Sequence, residues 1–127
     1  MRKFLVGDPC YHHAFKEGDN WMKLLESSGY FSPPNVLSFN GRYVGGASTL
    51  YGDGEYPDNE GNNYPVDSGL IGFVEYLEGD EPDFCLVLHE FEFPPNISID
   101  IEGVISLDGG NKILRIETGD SLDEEDY

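Results

Sequence analysis

Basic residues are scarce in this chain, and where they are missing matters more than their number. Against 25 aspartates and glutamates the 127 residues carry 7 lysines and arginines, a formal charge of −18. From Tyr43 to Asn111 there is no lysine or arginine at all, yet that stretch holds fifteen carboxylates. Such a field repels nucleic acid and anionic membranes, so neither is expected as a direct partner. Long apolar runs are also lacking. Near the start only Phe4-Leu5-Val6 is continuous, too short for a secretory signal, and no window approaches the ~20 apolar residues of a helical membrane span. The expectation is a soluble, cytoplasmic protein. With two cysteines, Cys10 and Cys85, the chain has too few for a disulfide framework or an all-cysteine zinc site, and two reduced thiols are expected. Asn96-Ile97-Ser98 is a glycosylation acceptor that would matter only on a secreted chain.

What is present points to strands. Aromatics make up 13% of the chain, and tyrosine, phenylalanine, isoleucine, valine and glycine are prominent. Lys3–Val6 reads as a first strand stopped by Gly7-Asp8-Pro9. Trp21–Ser28 reads as the one short helix, capped by Asp19 or Asn20, with Trp21, Leu24, Leu25 and Ser28 on one face and Gly29 as its stop. Val36–Phe39 and Arg42–Thr49 form a hairpin through Asn40-Gly41. Leu70–Leu77 and Phe84–Phe93 flank an acidic turn, and the apolar start of the second suggests a central strand. Ile97, Ile99 and Ile101 alternate with Ser98, Asp100 and Glu102 as in a half-buried strand. Val104–Leu107 and Lys112–Glu117 pair across Asp108–Asn111. The fold class expected is mainly β, a β-rich α+β domain spanning 1–119. Its antiparallel sheet curls into a barrel or a two-layer sandwich, followed by an acidic disordered tail at 120–127.

The segment between Leu50 and Gly69 is the anomaly, because connections of this length are uncommon in a compact domain and often functional. One reading is a calcium site built from Asp53, Glu55, Asp58, Glu60 and Asp67 with Asn59, Asn62 and Asn63. The spacing does not fit the twelve-residue helix–loop–helix calcium motif: with Asp53 first, Pro57 and Asp58 fall at positions five and six. A second reading is a hairpin, Glu55–Pro57 against Asn63–Pro65, with Tyr51, Tyr56 and Tyr64 packing its base and the prolines guarding its edges. A third, compatible with the second, is a recognition tip offering aromatic area and negative charge.

Catalytic constellations are thin. Asp8, Cys10 and His12 are conceivable metal ligands, but adjacent His12 and His13 suit one ion poorly. Cys10 with His12 or His89 is a conceivable nucleophile and base, outside any recognisable local signature. His89 reads as a satisfied, semi-buried residue. Gly45–Thr49 lacks the lysine of a phosphate-cradling loop. No catalytic residue, metal or cofactor is therefore assigned.

Three motifs, GDPCY at 7–11, STLYGDGEYPD at 48–58 and VDSGLIGF at 66–73, resemble a family of small proteins of tailed phages and bacteria to which no chemistry is assigned. The likeness covers roughly residues 4–74. It implies a context in which small accessory proteins bind and inhibit a host enzyme. Joined to the charge, it gives the leading expectation: a non-enzymatic acidic protein that occupies a basic surface of a host DNA-handling or defence protein, in one form by imitating DNA. The partner-binding residues expected are Tyr51, Asp53, Glu55, Tyr56, Asp58, Glu60, Tyr64 and Asp67 on the loop. Glu90 with Glu92, and Asp100 with Glu102, add charges ~7 Å apart along strands. A cation-dependent module and a small hydrolase or nucleotide-processing enzyme are the alternatives. Unpaired edge strands would also allow a dimer.

Overall fold

A computed structural model describes residues 1–81 and 83–122. Pro82 and 123–127, which include most of the expected tail, lie outside the described residues. Among the described residues ten strands form three antiparallel sheets, none closed into a barrel, accompanied by one α-helix. The largest has the order β2 (Asn35–Phe39), β3 (Arg42–Ser48), β6 (Leu70–Glu75), β1 (Arg2–Gly7), β7 (Val87–Phe91). A three-stranded meander joins β8 (Asn96–Ile99), β9 (Val104–Asp108) and β10 (Ile113–Glu117). Between β3 and β6, β4 (Gly54–Pro57) and β5 (Asn63–Val66) make a separate hairpin.

Strand alternation sorts the large sheet into two faces. Phe4, Val6, Ala47, Ile71, Phe73 and Phe91 turn toward the meander and the small hairpin. There they bury with Ile105, Leu107, Leu114, Ile116, Tyr56 and Tyr64. Val44, Leu70 and Val74 point the other way, against Leu24 and Leu25 of α1 (Asn20–Ser28) and against Phe15 and Phe31. Gly45 and Gly46 serve this two-faced packing. A methyl on Gly45 would overlap the ring of Phe73, and one on Gly46 would overlap Phe31 on the opposite face.

Local signals explain most boundaries. Asn40 and Gly41 both take positive φ, 49° and 83°, as a tight two-residue hairpin requires. The helix ends on left-handed Gly29, whose N–H bonds back to Leu25 and Glu26 carbonyls. Its N-cap Asp19 makes no side-chain cap bond; the carboxylate lies 3.2 Å from Lys23 Nζ instead. Two strand expectations fail. β7 is an edge strand, shorter than Phe84–Phe93, with Phe84 98% exposed in the preceding turn. β8 stops at Ile99, so Asp100 and Glu102 sit in the β8–β9 turn and not on a strand.

Candidate functional site

The acid-only appearance of the middle segment is partly undone by folding. Arg2 reaches Glu75 at 2.6 Å, Arg42 reaches Asp80 at 2.8 Å, Lys16 lies 3.7 Å from Asp83, and Lys112 lies 3.0 Å from Glu60. Each base comes from outside the 43–111 stretch. These four carboxylates are answered by bases, and Asp58 by the hydrogen bonds below.

Asp80 is the most heavily partnered. Its carboxylate accepts from Arg42, from the Leu77 N–H at 2.9 Å and from His13 Nε2 at 2.8 Å, with His12 Nε2 at 3.4 Å. Burial opposes its charge, but the guanidinium and these donors prevail and hold the carboxyl well below its usual range. The adjacent histidines thus converge on one group after all, and that group is a carboxylate. His12 Nδ1 accepts the Ala14 N–H at 3.1 Å, which places the ring proton on Nε2, facing Asp80. Burial and Arg42 push the His12 pKa down to about 4, against the pull of Asp80. His12, His13 and Asp80 form the one close set of three potential metal ligands among the described residues. The Nε2 proton and the guanidinium already fill it, so it does not fit a metal ion.

Asp8 is buried for a different purpose. It accepts the N–H groups of Cys10, Asp67 and Ser68 and the Ser68 hydroxyl, all at 2.7–2.9 Å, and so ties the first strand's end to the β5–β6 turn. Asp before Pro9 is an N-cap signature of the 3₁₀ turn that follows, legible in the sequence but easily taken for a strand stop. With Asp8 so occupied and His12 turned to Asp80, the conceivable Asp8–Cys10–His12 set is not assembled. Burial and the nearby Asp8 raise the Cys10 thiol, the opposite of what a nucleophile needs.

The small hairpin forms as expected, with Tyr56 opposite Tyr64 and Glu55 opposite Pro65. Asp58 organises its turn by accepting from the Glu60 and Asn62 N–H groups, the Asn62 amide and the Tyr64 hydroxyl. Burial disfavours its charge, yet these four donors lower its pKa. Beyond Tyr64 a directional chain continues. Lys112 can only donate, so His89 Nδ1 accepts from it at 3.0 Å. Nε2–H then donates to the Tyr64 oxygen at 2.9 Å, and Tyr64 donates to Asp58 at 2.6 Å. Burial, then Lys112, lowers the His89 pKa.

These contacts redistribute the expected partner-binding residues. Tyr56 and Tyr64 are fully buried and the Asp58 carboxylate has no exposed surface, so none of the three can touch a partner. The calcium set is not brought together either, since Asp58 is enclosed and Glu60 sits on Lys112. Asn59 is turned to β10, where its side chain bonds the Arg115 N–H and the Ile113 carbonyl. The remaining residues divide between the two ends of the β9–β10 hairpin, about 14 Å apart at ~3.4 Å per residue. Glu60 and Glu90 lie with His89 and Lys112 at one end, around a cavity of about 630 Å³. Glu92 is beside them, its N–H bonded to Gly109.

At the opposite end three chain segments meet around buried Thr118. Its hydroxyl donates to the Gly103 carbonyl at 2.6 Å and accepts the Leu50 N–H at 3.1 Å, and its carbonyl accepts the Tyr51 N–H. Just beyond, Ser121 and Leu122 hold the β4 backbone at Glu55. The result is a groove of about 490 Å³ lined by Glu102, Glu117 and Asp120 with Pro57, Val104 and Leu122, and by no lysine or arginine. Tyr51, Glu55, Asp100 and Glu102 all belong to this end. Asp53 and Asp67 are exposed but do not line this groove; the Asp67 N–H is bonded to Asp8. Glu117 and Asp120 were missed by sequence reasoning, which looked for charge inside the 43–111 stretch and assigned Asp120 to a tail.

No family model, curated protein or solved structure matches the chain. Among the described residues no helix is long and apolar enough to cross a membrane.

Proposed function

We propose that this chain is a non-enzymatic acidic binding protein that occupies a basic surface of another protein, the kind of surface that otherwise holds nucleic-acid phosphates. The observation that carries the reading is the groove at the Thr118 end, where Glu102, Glu117 and Asp120 converge with no base among the lining residues. Among the described residues five of the seven bases pair with carboxylates outside the groove, and Arg115, two residues from Glu117 on β10, is not among its lining residues. The phage-type resemblance adds the expected class of target, a host DNA-handling or defence protein, which the acidic protein would block in place of DNA. Thiol or metal chemistry gains no support from a raised Cys10 and a His12–His13–Asp80 set already filled by its own proton and Arg42.

The test is capture from a bacterial lysate on the immobilised protein at about 50 and 500 mM salt, followed by challenge with duplex DNA. Screening at the higher salt shortens the reach of exposed charges to a few ångströms. Proteins held only at low salt and displaced by DNA are expected. A retained set indifferent to both salt and DNA overturns the proposal.

A further inference from the structure

The acidic groove does not stand alone: the same end carries unusually exposed aliphatic side chains. Ile101 is 96% exposed at the tip of the β8–β9 turn, flanked by Asp100 and Glu102. Leu50 is 58% and Leu122 55% exposed. They belong to one surface. Leu50 packs so closely on the Ile101-bearing turn that a methyl on Gly103 would overlap it, and Leu122 lines the groove beside Glu102. The turn is held in one shape, since Asp100 accepts the N–H groups of Glu102 and Val104 at 2.9 Å and its backbone pairs with Val104 and Gly103. An aliphatic knob on a fixed turn costs little ordering when it is buried in a partner, and apolar anchors ringed by charge are the usual source of interface affinity.

We infer that this end binds a protein segment that is both cationic and aliphatic, with leucine-like side chains packing on Ile101, Leu50 and Leu122 and lysines or arginines meeting Glu102, Glu117 and Asp120. This rests on the proposed acidic-binding function and narrows it. Carboxylates that only imitated phosphates would need no aliphatic knob among them, whereas a basic amphipathic segment matches both features. Charge complementarity selects the sign of the partner, and the exposed aliphatics select a protein over a simple polycation.

Two synthetic 14-residue peptides of equal charge provide the probes, one of leucine and lysine at helical spacing, the other with serine replacing every leucine. At 150 mM salt the leucine peptide is expected to bind about tenfold more tightly, the scale for burying one aliphatic side chain. Ile101→Ser should remove most of that difference and leave binding of the serine peptide unchanged. Phe84→Ser, an equally exposed apolar residue in the turn before β7, outside the groove, should change neither. Both residues are exposed, so unaltered thermal unfolding is the expected control. Equal affinity for the two peptides, or an Ile101→Ser protein that retains full preference, overturns the inference while leaving acidic binding standing. Failure of both peptides to bind at 50 mM salt removes the acidic-binding reading itself, and this inference with it.

Discussion

Asp80 and its neighbours Glu78 and Glu81 are chemically alike, yet only Asp80 among them is buried, 8% exposed with a guanidinium and two imidazoles on it. Nothing in the acidic turn marks it out. Its partners come from the loop after β1 and from β3, and only the sheet order brings those together. The same cluster sets a pH response. His12 has a folded pKa of about 4 against an ordinary 6.5, so between those values the unfolded chain binds more protons than the folded one. Stability is complete above about pH 6.5 and falls as pH drops toward 4. The groups facing the ring are Asp80, Arg42 and His13. A loss on the order of 2–3 kcal/mol from this residue is expected over that window. Urea unfolding from pH 7 to 4.5 measures it. His12→Gln should flatten the dependence, and an unchanged slope would reject His12 as its source.

At the scale of elements, much was legible, because periodicity and turn chemistry are local. The Asn40-Gly41 hairpin, the Gly29 helix stop and the paired Tyr-Pro strands around Asp58–Gly61 all stand where the sequence puts them. Errors arose where an apolar residue was exposed or a polar one buried. Phe84 and Ile101 extended β7 and β8 on paper, but both are in turns with their side chains in solvent. Tyr56 and Tyr64 looked like recognition residues and are instead the floor under the hairpin. The site was half visible: Glu102 and Tyr51 could be named, but their meeting with Glu117 and Asp120 depends on Thr118, which no spacing reveals. The Gly45-Gly46 pair gives the sharpest test of packing between layers. Gly45→Ala drives a methyl into Phe73, and a loss of about 1–3 kcal/mol is expected from such overpacking. Denaturant unfolding reads it. Stability within experimental error of the parent would show that the Phe73 ring can move aside.

Taken whole, the molecule is a β-rich α+β fold working against its own charge. The ion pairs at Glu60, Glu75, Asp80 and Asp83 soften the repulsion, but the net −18 of the chain is untouched by them. Raising sodium chloride from about 10 to 500 mM shrinks the Debye length from ~30 Å to below 10 Å and should raise the melting temperature by several degrees. A melting temperature that falls or stays constant would mean that the attractive pairs dominate the electrostatics. Salt therefore acts in opposite directions on folding and on partner capture, which separates the two effects in one titration.

The placement of β1 has a consequence for how this polypeptide acquires its shape. It occupies an interior position of the large sheet, yet its hydrogen-bonding neighbours are residues 72–75 and 87–91. A ribosome therefore releases this strand long before either mate exists, and it lacks a partner on one side until residue 91 has been made. Closure must span long sequence separations, the slow regime for small domains. Newly made chains would thus spend their most aggregation-prone interval with an apolar ribbon, Phe4-Leu5-Val6, open on both sides.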